Sequence, residues 1–144
     1  MDEQQFREIE KKKRSLKRYK KMTACISRLE EKLALLDERL TAIKSPNYSG
    51  MPRGGVPVTA EDLISDKMDL EGRIKRLRKK RVNLKRSILE EIDSLEDPTL
   101  CEILESFFID GLSMEDIADQ EGYSVRRVYA LYSEGVKLLT EKVQ

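Results

Sequence analysis

GLSMEDIADQEGYSVRRVYALY, from Gly111 to Tyr132, decides how the last third of the chain is read. Ser113 and Asp116 have the spacing of a capping box, in which serine and acid each satisfy a free amide of a helix's first turn. That predicts a short helix over Met114 to Gln120, with Ile117 and Ala118 facing inward. Gly122 punctuates, and Ser124 can cap the next helix. Val125, Val128, Leu131, Tyr132, Val136 and Leu139 give that helix one apolar side. Upstream, Pro98 is placed to begin a helix at its first turn. Its apolar face is Leu100, Ile103, Leu104, Phe107 and Phe108, and Gly111 ends it. Three helices with a tight glycine turn between the last two predict a helix-turn-helix over residues 96–144.

The first 95 residues follow another rule. Residues 4 to 44 read as one long helix, with apolar residues at Tyr19, Met22, Ile26, Leu29, Leu33, Leu36, Leu40 and Ile43. Steps of three and four mark a coiled-coil seam. Phe6, Ile9 and Leu16 continue a weaker stripe upstream. SPNYSGMPRGGVPVT, Ser45 to Thr59, holds three of the four prolines and three of the seven glycines. No helix survives that density of breakers, so the stretch is a linker. It lacks the Lys-Ser/Thr ending and the preceding strand of a phosphate-binding loop. A second helix starts where Thr59 and Asp62 form another capping box and runs to about Leu95. Its stripe is Leu63, Leu70, Ile74, Leu77, Leu84, Ile88 and Leu95, with Lys67 and Arg81 in seam positions. Folded antiparallel, the stripes pair Leu40 with Leu63, Leu33 with Leu70, Leu29 with Ile74 and Ile26 with Leu77. Tyr19 then meets Leu84, Leu16 meets Ile88, and Ile9 meets Leu95. The expected fold is therefore all-α: a long antiparallel, coiled-coil-like hairpin over 1–95, then the three-helix module. A lone hairpin buries little area, so a homodimer, or docking of the module onto the hairpin, is expected to complete it.

Composition narrows the function. Charged residues make up 38% of the 144 and aromatics 6%, with no tryptophan, which suits long solvated helices better than a thick core. Histidine is absent, which removes the usual general base and the commonest metal ligand. Cys25 and Cys101 form no metal-type spacing and are expected to be buried free thiols. No carboxylate pair falls in a plausible pocket. The chain is expected not to be an enzyme and to need no cofactor or metal. The first ten residues are polar and acidic, and no apolar run approaches the ~20 residues that span a membrane. A cytoplasmic location, without membrane partners, is the expectation.

Charge is strongly segregated. Residues 96–144 carry 11 Asp/Glu against 4 Lys/Arg, a net of −7, whereas residues 1–95 carry 24 Lys/Arg against 16 Asp/Glu, a net of +8. The positive charge lies in KKKRSLKRYKK, Lys11 to Lys21, and RIKRLRKKRVNLKR, Arg73 to Arg86. In the antiparallel register these runs merge toward the hairpin end that carries the module. A helix-turn-helix places its second helix in the major groove, leading with that helix's N-terminal residues. Here that end offers Ser124, Val125, Arg126, Arg127 and Tyr129. An arginine can read guanine bidentately, and valine or alanine can touch a thymine methyl. Val125, Arg126, Arg127 and Tyr129 are the candidate base readers, and Ser124 with the adjoining amides can meet a phosphate. An acidic module needs phosphate neutralisation from elsewhere, which makes Lys17, Arg18, Lys20, Lys21, Arg78, Lys79, Lys80 and Arg81 candidate phosphate contacts. The competing reading of both runs is a solvated helix face.

GLSMEDIADQEGYSVRRVYALYSEGVKLL also resembles region 4 of bacterial sigma factors. The basic helical half, the SPNYSGMPRGG linker, the IDSLEDPTL lead-in and the sigma-like module follow one another as in late-transcription regulators of bacteriophages and prophages, of the RinA, ArpU and LtrA type. The resemblance covers nearly the whole chain. It implies a DNA-binding activator of phage late genes, with double-stranded DNA as partner and bacterial RNA polymerase as a possible second one. The reading positions of sigma, carried across, fall on Val125, Arg126, Tyr129 and Ala130, with Arg127 adjacent toward the backbone. The alternatives are a packaging protein of the terminase small-subunit class and a protein that only grips RNA polymerase.

Overall fold

The structure, a computed structural model, describes residues 2–44 and 59–142. The linker expected over 45–59 therefore lies outside the described residues, except for Thr59. All described regular structure is helical: α1 Glu3–Leu16, α2 Arg18–Lys44, α3 Ala60–Asp93, α4 Pro98–Phe108, α5 Met114–Glu121 and α6 Val125–Lys142. Packing divides the chain into two compact units, Met1–Met22 with Arg81–Gln144, and Thr23–Lys80. This division differs from a boundary at residue 95, because both ends of the expected hairpin pack with the helix-turn-helix helices.

Local chemistry sets the helix ends. Thr59 and Asp62 bond reciprocally, the Asp62 amide to Thr59 Oγ1 at 3.1 Å and the Thr59 amide to Asp62 Oδ2 at 3.4 Å. Asp97 accepts from the Thr99 amide, and Pro98 occupies the first turn of α4, where a missing N–H costs nothing. Ser113 caps α5 by accepting from the Asp116 amide at 3.1 Å. Gly122 closes α5 at φ +73, and the Tyr123 amide returns to the Ala118 carbonyl at 3.0 Å. That is a left-handed glycine stop, which a residue with a Cβ would strain.

The single helix expected over 4–44 is broken at Lys17. Lys17 keeps helical angles, and its amide still reaches the Lys13 carbonyl at 3.0 Å, so the break is slight. No proline or glycine causes it. It falls beside Leu16, the one buried residue of α1, which packs into the core of the first unit.

In that unit α4, α5 and α1 all pack on α6. Leu16, Ile88, Ile92, Leu95, Leu100, Ile103, Leu104, Phe108, Ile117, Val128, Val136 and Leu139 form one buried cluster, with Ile9, Tyr19 and Leu84 against it. Each such side chain contributes roughly 1.5–3 kcal/mol by leaving water. Phe107, Phe108 and Tyr132 stack edge-on or tilted at 5.0 to 5.7 Å. Lys12 pairs with Glu91, tying α1 to α3 in the expected register. The Cys101 thiol donates to the carbonyl of Ile92, which also accepts from the Leu95 amide, and to that of Leu95, just past the end of α3. Both cysteines are free and half-buried.

In the Thr23–Lys80 unit, α2 and α3 run antiparallel. Ile26, Leu29, Leu40, Leu63 and Ile74 are buried between them, whereas Leu33, Leu36, Leu70 and Leu77 are half-buried. Lys67, the charge in the seam, bonds Asp37 at 2.7 Å and lies 3.9 Å from Glu71. The hydrogen bond from Lys67 to Asp37, then the charge of that carboxylate, raises the Lys67 pKa above its ordinary value. Farther along, Arg78 pairs with Glu30 at 3.4 Å.

Candidate nucleic-acid interface

The start of α6 is the exposed feature of the first unit. Ser124 accepts from the Arg127 amide at 3.2 Å and caps the helix. Capping uses one face of its hydroxyl oxygen and leaves the amides of Val125 and Arg126 pointing out of the helix end. Arg126, Tyr129 and Ala130 fall at i, i+3 and i+4 and share one face, all exposed, with Tyr129 at 50%. Val128 and Tyr132 on the opposite face are buried. An arginine, a phenol and a methyl are thus presented together to solvent on a rigidly held helix.

Two of the expected base readers are placed differently. Val125 is half-buried and packs against the core cluster, as its place in the apolar pattern with Val128 and Tyr132 requires. Arg127 is exposed, but its guanidinium lies 4.7 Å from the centroid of Tyr123. The stack holds Arg127 beside the glycine turn, where it can meet the backbone of a ligand more readily than a base edge. Tyr123 sits four positions before Arg127, across the cap, a separation at which side chains meet on one face.

The candidate phosphate contacts divide between the units. Lys17, Arg18, Lys20, Lys21 and Arg81 belong to the first, and Arg78, Lys79 and Lys80 to the second. Arg18, Lys21, Lys79 and Lys80 are exposed, and none forms an ion pair with another described residue. Lys17 is half-exposed and likewise unpaired, and Arg81 is half-buried. Arg78 is partly occupied by Glu30. Lys20 holds its ammonium 3.7 Å from the Phe107 ring centroid, and burial, then repulsion from Lys17, lowers its pKa. Sequence patterning groups Lys20 with its neighbours. The contact with Phe107, 87 positions away, depends on how α2 leaves the core.

Acidic side chains gather elsewhere on the same unit. Glu102, Glu105, Asp110 and Glu121 line a groove of about 470 Å³ with Ser106 and Gln120. None of these four carboxylates pairs with a described cation. Nine of the eleven acids of residues 96–144 precede α6, six of them on α4 and α5, while the start of α6 carries Arg126 and Arg127. Among the described residues, no helix is long and apolar enough to cross a membrane. No family model, curated protein or solved structure matches the chain.

Proposed function

We propose that this chain is a sequence-specific DNA-binding transcriptional regulator, acting in the cytoplasm of a bacterial host, whose base-reading element is the first two turns of α6. The observation that carries the reading is the exposed set Arg126, Tyr129 and Ala130 on a capped helix, whose opposite side, Val128 and Tyr132, is locked in the core. A helix held that way can enter a major groove without unfolding anything. Arg126 is assigned to a base edge. Arg127, Ser124 and the free amides of Val125 and Arg126 are assigned to phosphate. The unpaired cations Lys17, Arg18, Lys21, Lys79 and Lys80 supply neutralisation that the acidic module lacks. The resemblance to late-transcription activators of phages agrees with this reading and sets its biological context: activation of packaging and structural genes.

The acidic groove of α4 and α5 favours a second contact, to protein, because carboxylates repel DNA. RNA polymerase is the partner that an activator would address with it. Footprinting of the full chain on DNA flanking its own gene tests the proposal. A protected site of defined sequence supports it, and uniform coverage or no protection refutes it.

A further inference from the structure

The Thr23–Lys80 unit treats its two flanks differently. On one flank of the seam the charges are satisfied within the chain, Lys67 by Asp37 and Glu71, and Arg78 by Glu30. The other flank is a groove of about 440 Å³ between a stripe of α2, Lys32, Leu35, Leu36 and Arg39, and a stripe of α3, Asp66, Asp69, Leu70 and Arg73. Each stripe follows the i, i+3, i+4, i+7 rhythm of a single helix face. Leu35 is 58% exposed there, and Leu36 and Leu70 are only half-buried. None of Lys32, Arg39, Asp66 and Asp69 forms an ion pair with another described residue. The groove thus carries two cations on α2, and on α3 two carboxylates with one cation, Arg73, at its end.

Such a surface complements itself. We propose that this flank is the interface with a second copy of the chain, closing two hairpins into a four-helix bundle about a two-fold axis parallel to the helices. The axis sets α2 of one copy on α3 of the other. Arg39 then faces the partner's Asp66, and Lys32 lies between the levels of the partner's Asp69 and the partner's Arg73. Leu35, Leu36 and Leu70 are covered from both sides. A two-fold interface needs this property, since every contact occurs twice with the roles exchanged. The opposite flank also exposes Ile64 and Met68, but its cations Lys67 and Arg78 are already paired inside the chain. The proposal rests on the hairpin alone and is independent of DNA binding.

Charge exchange tests it on the full chain. One double variant carries Lys32→Asp and Arg39→Asp, the other Asp66→Lys and Asp69→Lys. Sedimentation equilibrium at micromolar concentration should give twice the 16.7 kDa chain mass for the parent and a monomer for each variant alone. Mixed in equal amounts, the variants should recover the dimer, because the acidic α2 of one then meets the basic α3 of the other. At the second contact the unaltered α3 of the first meets the unaltered α2 of the second. Leu35→Asp, at an exposed position that the fold does not need, should also give a monomer with unchanged helical circular dichroism. A monomeric parent overturns the proposal. So does a dimer that survives Leu35→Asp, or folded variants that stay monomeric on mixing.

Discussion

The ammonium of Lys20 lies 3.7 Å from the centre of the Phe107 ring, so a basic residue of α2 forms part of the packing around α4. Burial, then repulsion from Lys17, lowers the Lys20 pKa, while the ring face attracts the ammonium. Lys20→Ala, which also strips the alkyl stem from Phe107, should lower stability by about 0.5–1 kcal/mol in urea unfolding. Lys20→Met keeps the stem and removes the charge, and should leave the midpoint nearly unchanged. An equal loss in both variants would make the charge itself the stabilising part.

Gly135 meets Leu104 where α6 crosses α4. A Cβ built on Gly135 would lie 2.9 Å from Leu104 Cδ1 and 3.2 Å from its Cγ. Leu104 is fully buried and has little room to move. Gly135→Ala gains about 1 kcal/mol of helix propensity, while overpacking costs about 1–3 kcal/mol. A net loss of about 1 kcal/mol is expected in thermal or urea unfolding. A stabilised variant would mean that α4 and α6 separate freely.

Tyr132 gives the stability a sign at high pH. Burial, with a smaller contribution from Glu10, pushes its pKa up to about 12 from the ordinary 10.0. Between those values the folded chain keeps the phenol proton that the unfolded chain has lost. Unfolding is therefore favoured increasingly as pH rises from about 10 to 12, and the stability that disappears there is fully present below 10. Tyr132→Phe should flatten this part of the curve, measured as urea midpoint against pH. The same slope in the variant would assign the effect to another group.

The fold was readable where chemistry is local. Ser113, Ser124, Thr59 with Asp62, Pro98 and Gly122 each set a helix end through neighbours within three or four positions. The three-four rhythm from Ile26 to Leu40 supplied the antiparallel register that Asp37–Lys67 and Lys12–Glu91 display. What escaped depends on tertiary packing. Ile92 breaks the seam rhythm yet is fully buried, because at that end α3 joins one core with residues of α1, α4, α5 and α6. Phe6, part of the weaker stripe, is 56% exposed. Nothing in its neighbours marks Gly135 as the point of approach to Leu104, 31 positions earlier. For the candidate site, the exposed positions of α6 followed from its apolar pattern, whereas the engagement of Lys20 and Arg127 with aromatic rings did not.

Neutralisation of phosphates by the basic runs has a salt signature. Reversing the charge of Lys79, Lys80 and Arg81 should weaken binding to every DNA sequence about equally. It should also flatten the slope of log affinity against log salt by ~0.9 for each phosphate that is no longer neutralised. Fluorescence anisotropy of the full-length protein over a salt series measures both. An unchanged slope would make the runs solvated helix faces.

Selection from a pool of random duplexes by the full chain, run in parallel with Arg126→Ala, tests the central claim most directly. The parent should enrich one defined sequence. Arg126→Ala should relax the preference at one base pair, normally guanine, and weaken binding to the parent's site by roughly 1–3 kcal/mol, with its fold intact. No enriched sequence for the parent, or the same sequence bound equally well without Arg126, would contradict reading of DNA by the start of α6.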